Sequence, residues 1–524
     1  MGGPRGGRCA QNFRDVWNTY TYYHLSVFFF TFMSYALFHA TRKTFSNVKS
    51  LLEDEWTPSN HSRYDGLYPP EVWDDHNFFP NEDKTEIYLG NLDTTFLFCY
   101  AVGLYISGFL GDRYNLRYVL CSGMMLSAIM VFTFGCVGKW AGVYSVYYYG
   151  VLWGLNGLLQ SAGWPTTVAI MGNWFGKGSH GVIFGVWSAN ASVGNIIGAF
   201  LAASVLHYGY QYAFLVTSVP LFLAGIVMFF TIVEHPKCVG LSSPDGKDNL
   251  TINVKANLVD DNDQREVTPL LKPTSDPDIP TSPDHSVMVY STKQQTQNRV
   301  VHFFKAFCIP GVAVYALSYA CLKLVNYSFF FWLPYYLNKA YPSWATPTEA
   351  ALLSTLYDVG GIIGGIVGGI ISDLVGRRCP IVVTMLLSAM GFLFVYQAYG
   401  DTPTKNAILM AMAGVFVGGP ANLISSAISA DLGKQPALKG DSEALSTVTG
   451  IIDGTGSVGA AIGQTIIPII NIKTNGWEWV FYFLMGMLFC SALFLSELFY
   501  RDIRSLGGVL CNRLRSYSTR SKHQ

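Results

Sequence analysis

GVAVYALSYACLKLVNYSFFFWLPYYL, from Gly311 to Leu337, is the stretch that decides how this chain folds. It is apolar for long enough to cross a hydrocarbon layer of ~30 Å as one helix. Lys323 stands near its middle, where a charge costs roughly 2.5–3.5 kcal/mol on insertion scales and needs a partner, a cavity or a ligand. If Arg42 from the first apolar stretch faces Lys323, the two form a cationic pair inside the membrane. Such a pair predicts a site for organic anions with a phosphate-like head group.

The composition is typical of a helical membrane protein. Of the 524 residues, 50% are hydrophobic and 13% are charged, against about 25% charged residues in globular domains. The formal net charge is zero, so no bulk charge indicates nucleic acid as a partner. The ten cysteines show no CxxC or ligand-like spacing, and we predict no disulfide framework, metal site or cofactor.

The apolar segments predict an all-α membrane protein with twelve transmembrane helices in two pseudo-symmetric six-helix bundles. The bundles cover residues 22–234 and 305–500, and the polar stretch 235–304 is predicted to be a disordered linker. Residues 1–21 precede the bundles and a basic tail, 501–524, follows them. The predicted spans are 22–48, 88–111, 118–138, 143–171, 181–206, 212–234, 308–337, 348–371, 380–399, 405–430, 444–471 and 477–500.

The two halves repeat each other in sequence. ASVGNIIGA at 191–199 matches GSVGAAIGQ at 456–464, and GFLGDRYNLR at 108–117 corresponds to GGIISDLVGRR at 368–378. Repeats of this kind are typical of transporters whose substrate site lies near mid-membrane between the halves.

The distribution of Lys and Arg predicts the orientation. Basic residues are concentrated in both termini and in the loops after even-numbered spans, which places the termini and the linker in the cytosol. The acidic loop 45–87 then faces the lumen or the outside, and Asn60 begins its N-glycosylation triplet. In the linker, Glu266, Leu270 and Leu271 fit an acidic dileucine sorting pattern. We therefore expect an internal membrane, either lysosome or endoplasmic reticulum, rather than the plasma membrane.

Six motifs resemble those of one transporter family. They are TRKTFSNVK at 41–49, GLLQSAGWP at 157–165, GNWFGKG at 172–178, KLVNYSFFFWLPYYL at 323–337, YDVGGIIGG at 357–365 and ISSAISADLG at 424–433. With them the chain resembles the major facilitator superfamily, in particular the organophosphate:phosphate antiporters of solute carrier family 37, the sugar-phosphate exchangers. The resemblance implies alternating access between two bundles and exchange of a sugar phosphate for inorganic phosphate.

Arg42 matches the arginine that binds substrate phosphate in the first helix of the wider family. A guanidinium presents a planar fork to phosphate oxygens and stays charged when it is desolvated. The alternative is an interfacial arginine that snorkels from a helix ending near His39. Lys43 points elsewhere on the helix and is a weaker candidate.

Lys323 is the second predicted anion ligand, with a structural salt bridge to a buried Asp as the alternative. The resemblance implies an arginine at Asn326 and a histidine at Ala191, so this chain departs from the family pattern at both positions. Lys323 lies one turn before Asn326 and supplies charge from the same face, but without bidentate geometry. The departures favour a generic site for doubly charged tetrahedral oxyanions, phosphonates as well as phosphate esters.

Three carboxylates, Asp93, Asp358 and Asp453, lie inside predicted spans. One interpretation is that they are counter-ions of the cavity cations until substrate displaces them. The other is that a buried Asp93 or Asp358 carries a proton, which makes a proton-coupled carrier of another solute the alternative function.

Further side chains are predicted to complete the site and its gates. The candidates for the cavity wall are Tyr35, His39, Gln160, Trp164 and Tyr327, with core packing as the alternative. The predicted gate residues, which would bridge the bundles in one state and separate in the other, are Asp112, Arg113, Arg117, Asp373, Arg377 and Arg378.

The sequence does not favour an enzyme. It holds no nucleophile–base pair, phosphate-cradling glycine loop or metal-ligand cluster. A non-transporting membrane partner protein stays open as a third function. The expected partners are a small phosphate- or phosphonate-bearing anion and the lipid bilayer, and the need for an accessory membrane subunit stays open.

Overall fold

A computed structural model describes residues 21–57, 78–175, 183, 186–241, 307–432 and 444–506, with the backbone alone at 108–113, 430 and 444–447. Within these ranges the chain is helical and contains no strand. The glycosylation position Asn60 and the sorting residues Glu266, Leu270 and Leu271 lie outside the described residues.

Twelve long helical segments follow one another in the described part of the chain, in the predicted order. They are α1 Tyr22–Trp56, α2 Glu82–Arg113, α3 Leu116–Phe132, α4 Val146–Gln160, α5 Asn190–Val205, α6 Tyr210–Thr231, α7 Val312–Ala340, α8 Pro347–Val375, α9 Cys379–Tyr399, α10 Pro403–Asn422, α11 Ala444–Thr474 and α12 Glu478–Phe494. Three of them continue: α3 through the π-helical stretch Thr133–Val137 and then Gly138–Trp140, α4 as Gly163–Trp174, and α10 through the π-helical stretch Leu423–Ile428 and then Ser429–Leu432.

Most of these helices can cross a membrane. Of those described, nine are long and apolar enough, and ten if α12 and Ser496–Leu506, bent by 53°, form one span. The other two differ for clear reasons. Polar and charged side chains interrupt α1 in its second half, and α4 is broken by a turn at Ser161 and Ala162. The prediction of an all-α membrane fold is confirmed.

α1 differs most from its predicted bounds. No glycine or proline interrupts it, and it runs to Trp56 rather than to residue 48. Glu53 and Glu55 therefore lie within the helix and not in a loop at 45–87. Both are buried because each is paired: Glu53 lies 2.6 Å from Lys339, and Glu55 lies 3.1 Å from Lys139.

The start of the predicted linker also differs from expectation. Pro236–Val239 forms a short 3₁₀ helix. Trp174 donates its indole N–H to the Val233 carbonyl at 2.7 Å, which fixes the chain just before this turn. Residues 242–306, most of the predicted linker, lie outside the description.

The repeated glycine motifs pack alike in the two halves. A Cβ atom at Gly194 of α5 would lie 2.2 Å from the Ala36 carbonyl oxygen of α1, so only glycine permits this close approach. In the second half, a Cβ atom at Gly459 of α11 would lie 2.4 Å from the Ala320 carbonyl oxygen of α7. Small residues at such crossings let helix backbones meet inside a membrane. The shared packing confirms two pseudo-symmetric bundles.

The two halves are joined at one end of the molecule. We call this end, where α1 finishes and α2 begins, the Trp56 face. Lys339 of α7 pairs there with Glu53 of α1, and Asn471 of α11 donates to the Glu86 carboxylate of α2 at 3.0 Å. These contacts close the Trp56 face, and a cavity lies between the halves nearer their middle.

Candidate functional site

The cavity has a volume of about 90 Å³ and is lined by residues of both halves. Eight predicted site residues form part of its wall: Tyr35, His39, Trp164, Lys323, Asn326, Tyr327, Asp358 and Asp453. Lys323 and Asp358 lie near the middle of α7 and α8, which is where a substrate site is expected in a two-bundle carrier.

Lys323 supplies a positive charge from the C-terminal half. Its ammonium donates to Asp453 Oδ1 at 2.7 Å and to the Ser457 hydroxyl at 2.8 Å, both on α11. The lysine is 2% exposed, and its ammonium lies 5.2 Å from the centre of the Tyr327 ring. The buried Asp that was the alternative explanation of Lys323 is thus present, yet lysine and carboxylate both face the cavity.

Arg42 supplies a positive charge from the N-terminal half and is fully buried. Nε and Nη2 donate to Gln160 Oε1 at 3.2 and 3.1 Å, and Nη1 donates to the Tyr327 hydroxyl at 3.1 Å. The guanidinium carbon also lies 4.7 Å from the centre of the Tyr100 ring. In the described part of the chain no carboxylate lies within ion-pair distance of Arg42, so its partners are neutral groups.

Tyr327 connects the two cations. It accepts a hydrogen bond from Arg42 while its ring lies beside the Lys323 ammonium. Tyr327 lines the cavity. Arg42 and Gln160 are not part of the cavity wall and lie behind Tyr327. An anion that replaces the Tyr327 hydroxyl on Arg42 would therefore also come close to Lys323.

A hydrogen-bonded chain crosses the cavity between the halves. His39 Nδ1 lies 3.0 Å from Asn195 Oδ1, and Asn195 Nδ2 donates to Asp358 Oδ1 at 2.6 Å. Since a side-chain amide oxygen only accepts, His39 Nδ1 carries the hydrogen in this arrangement. The chain fixes the side chains of α1, α5 and α8 in one network.

The wall also contains aromatic and amide groups. Asn326 accepts from the Tyr357 hydroxyl at 2.7 Å. Tyr35 packs against Trp164 with ring centres 4.8 Å apart, and the Trp164 indole N–H is buried without a hydrogen-bond partner in the described structure. That N–H is a donor left for a polar ligand.

The repeat relates the cations to each other. Counting from Ala36 and Ala320, His39 corresponds to Lys323, and Arg42 corresponds to Asn326. Arg42 and Lys323 thus lie on the first helix of their own half, but not at equivalent positions of the repeat.

The charges around the cavity favour an anion. Lys43 donates at 3.0 Å to the carbonyl of Phe330, a residue of the cavity wall, and brings a third cation behind that wall. Among the described residues around the cavity, three cations outnumber two carboxylates. The cations are Arg42, Lys43 and Lys323, and the carboxylates are Asp358 and Asp453. The surplus arises because Asp93, predicted to serve these cations, is elsewhere.

Comparison with known proteins agrees with this architecture. A family model described as Major Facilitator Superfamily matches residues 25–439 and 345–508. "Sugar phosphate exchanger 3" of Gallus gallus is 48% identical over 508 residues, which cover 97% of this chain and 98% of the relative. The chain belongs to the sugar-phosphate exchangers of the major facilitator superfamily.

Two further similarities are consistent with membership of this family. "Putative glycerol-3-phosphate transporter 1" of Arabidopsis thaliana is 38% identical over 508 residues, covering 95% of this chain and 92% of the relative. A crystal structure of D-xylose-proton symporter aligns with a TM-score of 0.58 at 12% identity, covering 90% of this chain and 97% of that one. The second similarity concerns the fold alone.

Asp93 differs from its predicted place in this member of the exchanger family. It lies on α2 outside the cavity wall and forms a fully buried ion pair with Lys49 of α1. The Lys49 ammonium lies 3.7 Å from the centre of the Trp332 ring of α7. Asp93 therefore neutralises Lys49, which is not among the predicted site residues, and not a cation at the cavity.

The predicted gate charges do not bridge the halves in the described contacts. Arg378 lies 3.4 Å from Asp373 and 2.5 Å from Asp431, and Arg377 lies 3.5 Å from Asp502, all within the C-terminal half. The side chains of Asp112 and Arg113 are outside the description. The Arg117 backbone N–H donates to the side chain of Asn115 at the start of α3.

The predicted site did not include Lys49, Asn195 or Tyr319, a tyrosine of the cavity wall whose ring centre lies 5.5 Å from the Lys323 ammonium. Lys49 follows Arg42 by seven residues, two helical turns, so it lies on the same side of α1. Asn195 is the one amide inside the glycine motif of α5 and could have been noticed there. Tyr319 gave no signal, because an aromatic residue in an apolar span is indistinguishable from core.

Proposed function

We propose that this chain is an alternating-access antiporter that exchanges an organic anion bearing a phosphate or phosphonate group for inorganic phosphate. The observation that carries the proposal is the surplus of positive charge around the cavity, with neutral groups as the partners of Arg42 among the described residues. An incoming anion meets a buried guanidinium without having to displace a carboxylate from it. The names of two relatives, a sugar phosphate exchanger and a glycerol-3-phosphate transporter, agree with this ligand chemistry. None of them names an enzyme.

Tyr327 and Asp453 define what the anion must replace. The phosphate group takes the place of the Tyr327 hydroxyl on Arg42 and competes with the Asp453 carboxylate for Lys323. The free Trp164 indole N–H and the Asn326 amide face the organic part of the ligand. Since these groups suit any polar substituent, the head group dominates recognition.

Uptake into proteoliposomes tests the proposal. Vesicles containing the purified chain and internal inorganic phosphate are mixed with labelled glycerol 3-phosphate, glucose 6-phosphate or a simple alkyl phosphonate. We expect saturable uptake that requires internal phosphate and is lost in Arg42→Ala but not in the control Arg501→Ala, whose side chain is exposed. Absence of phosphate-dependent uptake for every probe would refute the proposal. Activity of the chain alone would also make an accessory subunit unnecessary.

The hydrogen-bonded chain from His39 through Asn195 to Asp358 favours a second candidate, a proton-coupled carrier. Protonation of Asp358 would remove the charge that strengthens its hydrogen bond from Asn195 and so weaken a contact between the halves. In that case uptake follows an imposed pH gradient without internal phosphate, and Asp358→Asn abolishes the dependence on the gradient. Uptake that ignores the gradient excludes this candidate.

We place the protein in an internal membrane with both termini in the cytosol. The excess of Lys and Arg on the side of the termini supports this orientation. Protease protection of a tag added at either end of the chain in isolated organelles tests it. A protected tag contradicts the proposed orientation.

A further inference from the structure

Pro334 lies inside α7, six residues before the helix ends at Ala340. Proline has no N–H and its ring crowds the carbonyl four residues earlier, so the helix loses one hydrogen bond. The carbonyl without its usual donor is that of Phe330. Inside a membrane an unsatisfied carbonyl costs several kcal/mol, so a substitute donor is needed.

The substitute donors come from the other half of the protein. The Lys43 ammonium of α1 donates to the Phe330 carbonyl at 3.0 Å. The Ser46 hydroxyl donates to the same oxygen at 2.7 Å and lies 3.1 Å from the Phe331 carbonyl oxygen. Lys43 and Ser46 are each 1% exposed, and their spacing of three residues puts both on one side of α1.

The contact between Lys43 and the Phe330 carbonyl is unusual because the lysine is buried without a carboxylate partner in the described structure. In the described part of the chain no carboxylate lies within ion-pair distance of its ammonium, although the residue is buried. Among the described residues, the Phe330 carbonyl is its one hydrogen-bond acceptor. Because the acceptor belongs to the opposite half, Lys43 keeps it only while α1 and α7 stay together.

The second crossing between the halves on the same side also involves a proline. Pro468 lies inside α11 and likewise removes the donor for the carbonyl four residues earlier, that of Gln464. The backbone of α2 approaches that carbonyl at Gly90, where a Cβ atom would lie 2.7 Å from the Gln464 oxygen. Both crossings thus meet a carbonyl of the C-terminal half that a proline has freed.

We propose that Pro334 is a positioning residue for transport: it creates the acceptor by which Lys43 and Ser46 lock α1 onto α7 while the Trp56 face is closed. The lock sets the ratio of the closed to the open Trp56 face, and opening that face breaks it. The inference rests on the proposed alternating-access function. It adds a named chemical contact that must be made and broken once in each cycle.

Double electron–electron resonance tests the lock directly. Spin labels at Asp83 and Lys473, exposed positions of α2 and α11 at the Trp56 face, report the separation of the halves in a background without native cysteines. Pro334→Ala returns an N–H that competes for the Phe330 carbonyl, and Ser46→Ala removes one donor. We expect each variant to lower the closed-to-open ratio by about 2–10-fold, the effect of one hydrogen bond.

The double variant distinguishes a shared contact from two separate ones. Because Pro334 and Ser46 act on the same carbonyl, Pro334→Ala with Ser46→Ala should shift the ratio little beyond Pro334→Ala alone. The matched control is Pro220→Ala, a proline inside α6, which should leave the distances unchanged. Wild-type distances in both single variants, or effects that multiply in the double variant, would overturn the proposal.

If Pro334→Ala does not fold, Ser46→Ala decides alone: a shift supports the lock and no shift overturns it. The distances are measured without substrate, so they do not depend on the identity of the transported anion. A chain that shows the shift but no phosphate exchange would refute the proposed function and leave the lock standing.

Discussion

Two buried lysine–aspartate pairs, chemically alike, lie in different regions of this protein. Lys323 and Asp453 face the cavity from the C-terminal half, with side chains 2% and 9% exposed. Lys49 and Asp93 lie toward the Trp56 face, both at 0% exposure, with the Trp332 ring over the ammonium. The difference teaches that access, and not the pair itself, separates a ligand site from a structural contact. Arg42 sharpens the contrast, since its described partners are neutral.

The largest effect is expected from breaking the fully buried pair of Lys49 and Asp93. Lys49→Ala leaves Asp93 buried without a counter-charge and should destabilise the folded protein by about 3–5 kcal/mol. The combined change Lys49→Met with Asp93→Leu removes both charges and should restore most of that loss. Thermal unfolding in detergent measures both, with Lys405→Ala in an exposed pair as control. Equal stability of Lys49→Ala and the control would show that the pair is not structural.

Arg42 should have the next largest effect, on exchange rather than on stability. Arg42→Ala removes charged hydrogen bonds to the anion and should lower the exchange rate by about 100-fold. Arg42→Lys should recover part of the rate, because an ammonium keeps the charge but not the planar fork. Initial rates of phosphate-dependent uptake measure this. Near-normal exchange rates in Arg42→Ala would show that Arg42 is a packing residue and does not bind the anion.

Asp453→Asn tests whether the carboxylate of the cavity pair competes with the anion for Lys323. Without the carboxylate Lys323 no longer has to exchange a partner, so the KM for the anion should fall by about 10-fold. Turnover should fall as well, because a tightly held anion leaves slowly. The measurement is uptake over a range of anion concentrations. A raised KM would mean that Asp453 assists anion binding and does not compete with it.

Tyr327→Phe should have the smallest effect. The change removes the hydroxyl that occupies Arg42 but keeps the ring beside Lys323, so KM should change by about 2–5-fold. Tyr399→Phe, at an exposed tyrosine on α9, is a matched control with no expected change. An effect as large as that of Arg42→Ala would mean that the Tyr327 hydroxyl itself binds the anion.

Much of the fold could be predicted because its signals are local. Long apolar stretches and the two glycine motifs each report on their own surroundings, and the order of twelve helical segments follows from them. The bounds were less accurate at α1, where Glu53 and Glu55 appeared to mark a loop. They remain in the helix because Lys339 and Lys139 neutralise them, and both lysines are distant in the chain.

The candidate site was only half predictable for the same reason. Arg42 and Lys323 could be found as charges inside apolar spans, since a buried charge stands out in any single segment. The partners of these two cations could not be assigned from the sequence. Asp93 was predicted to lie at the cavity, although it forms an ion pair with Lys49.

The sequence by itself determined that this protein is a two-bundle membrane protein with cations inside its spans, because burial and helix formation depend on the residues of each segment. Only the tertiary structure decided which cation meets which carboxylate and which pair faces the cavity. Ion pairing depends on distances of a few ångströms between helices far apart in the chain, and no local pattern encodes those distances.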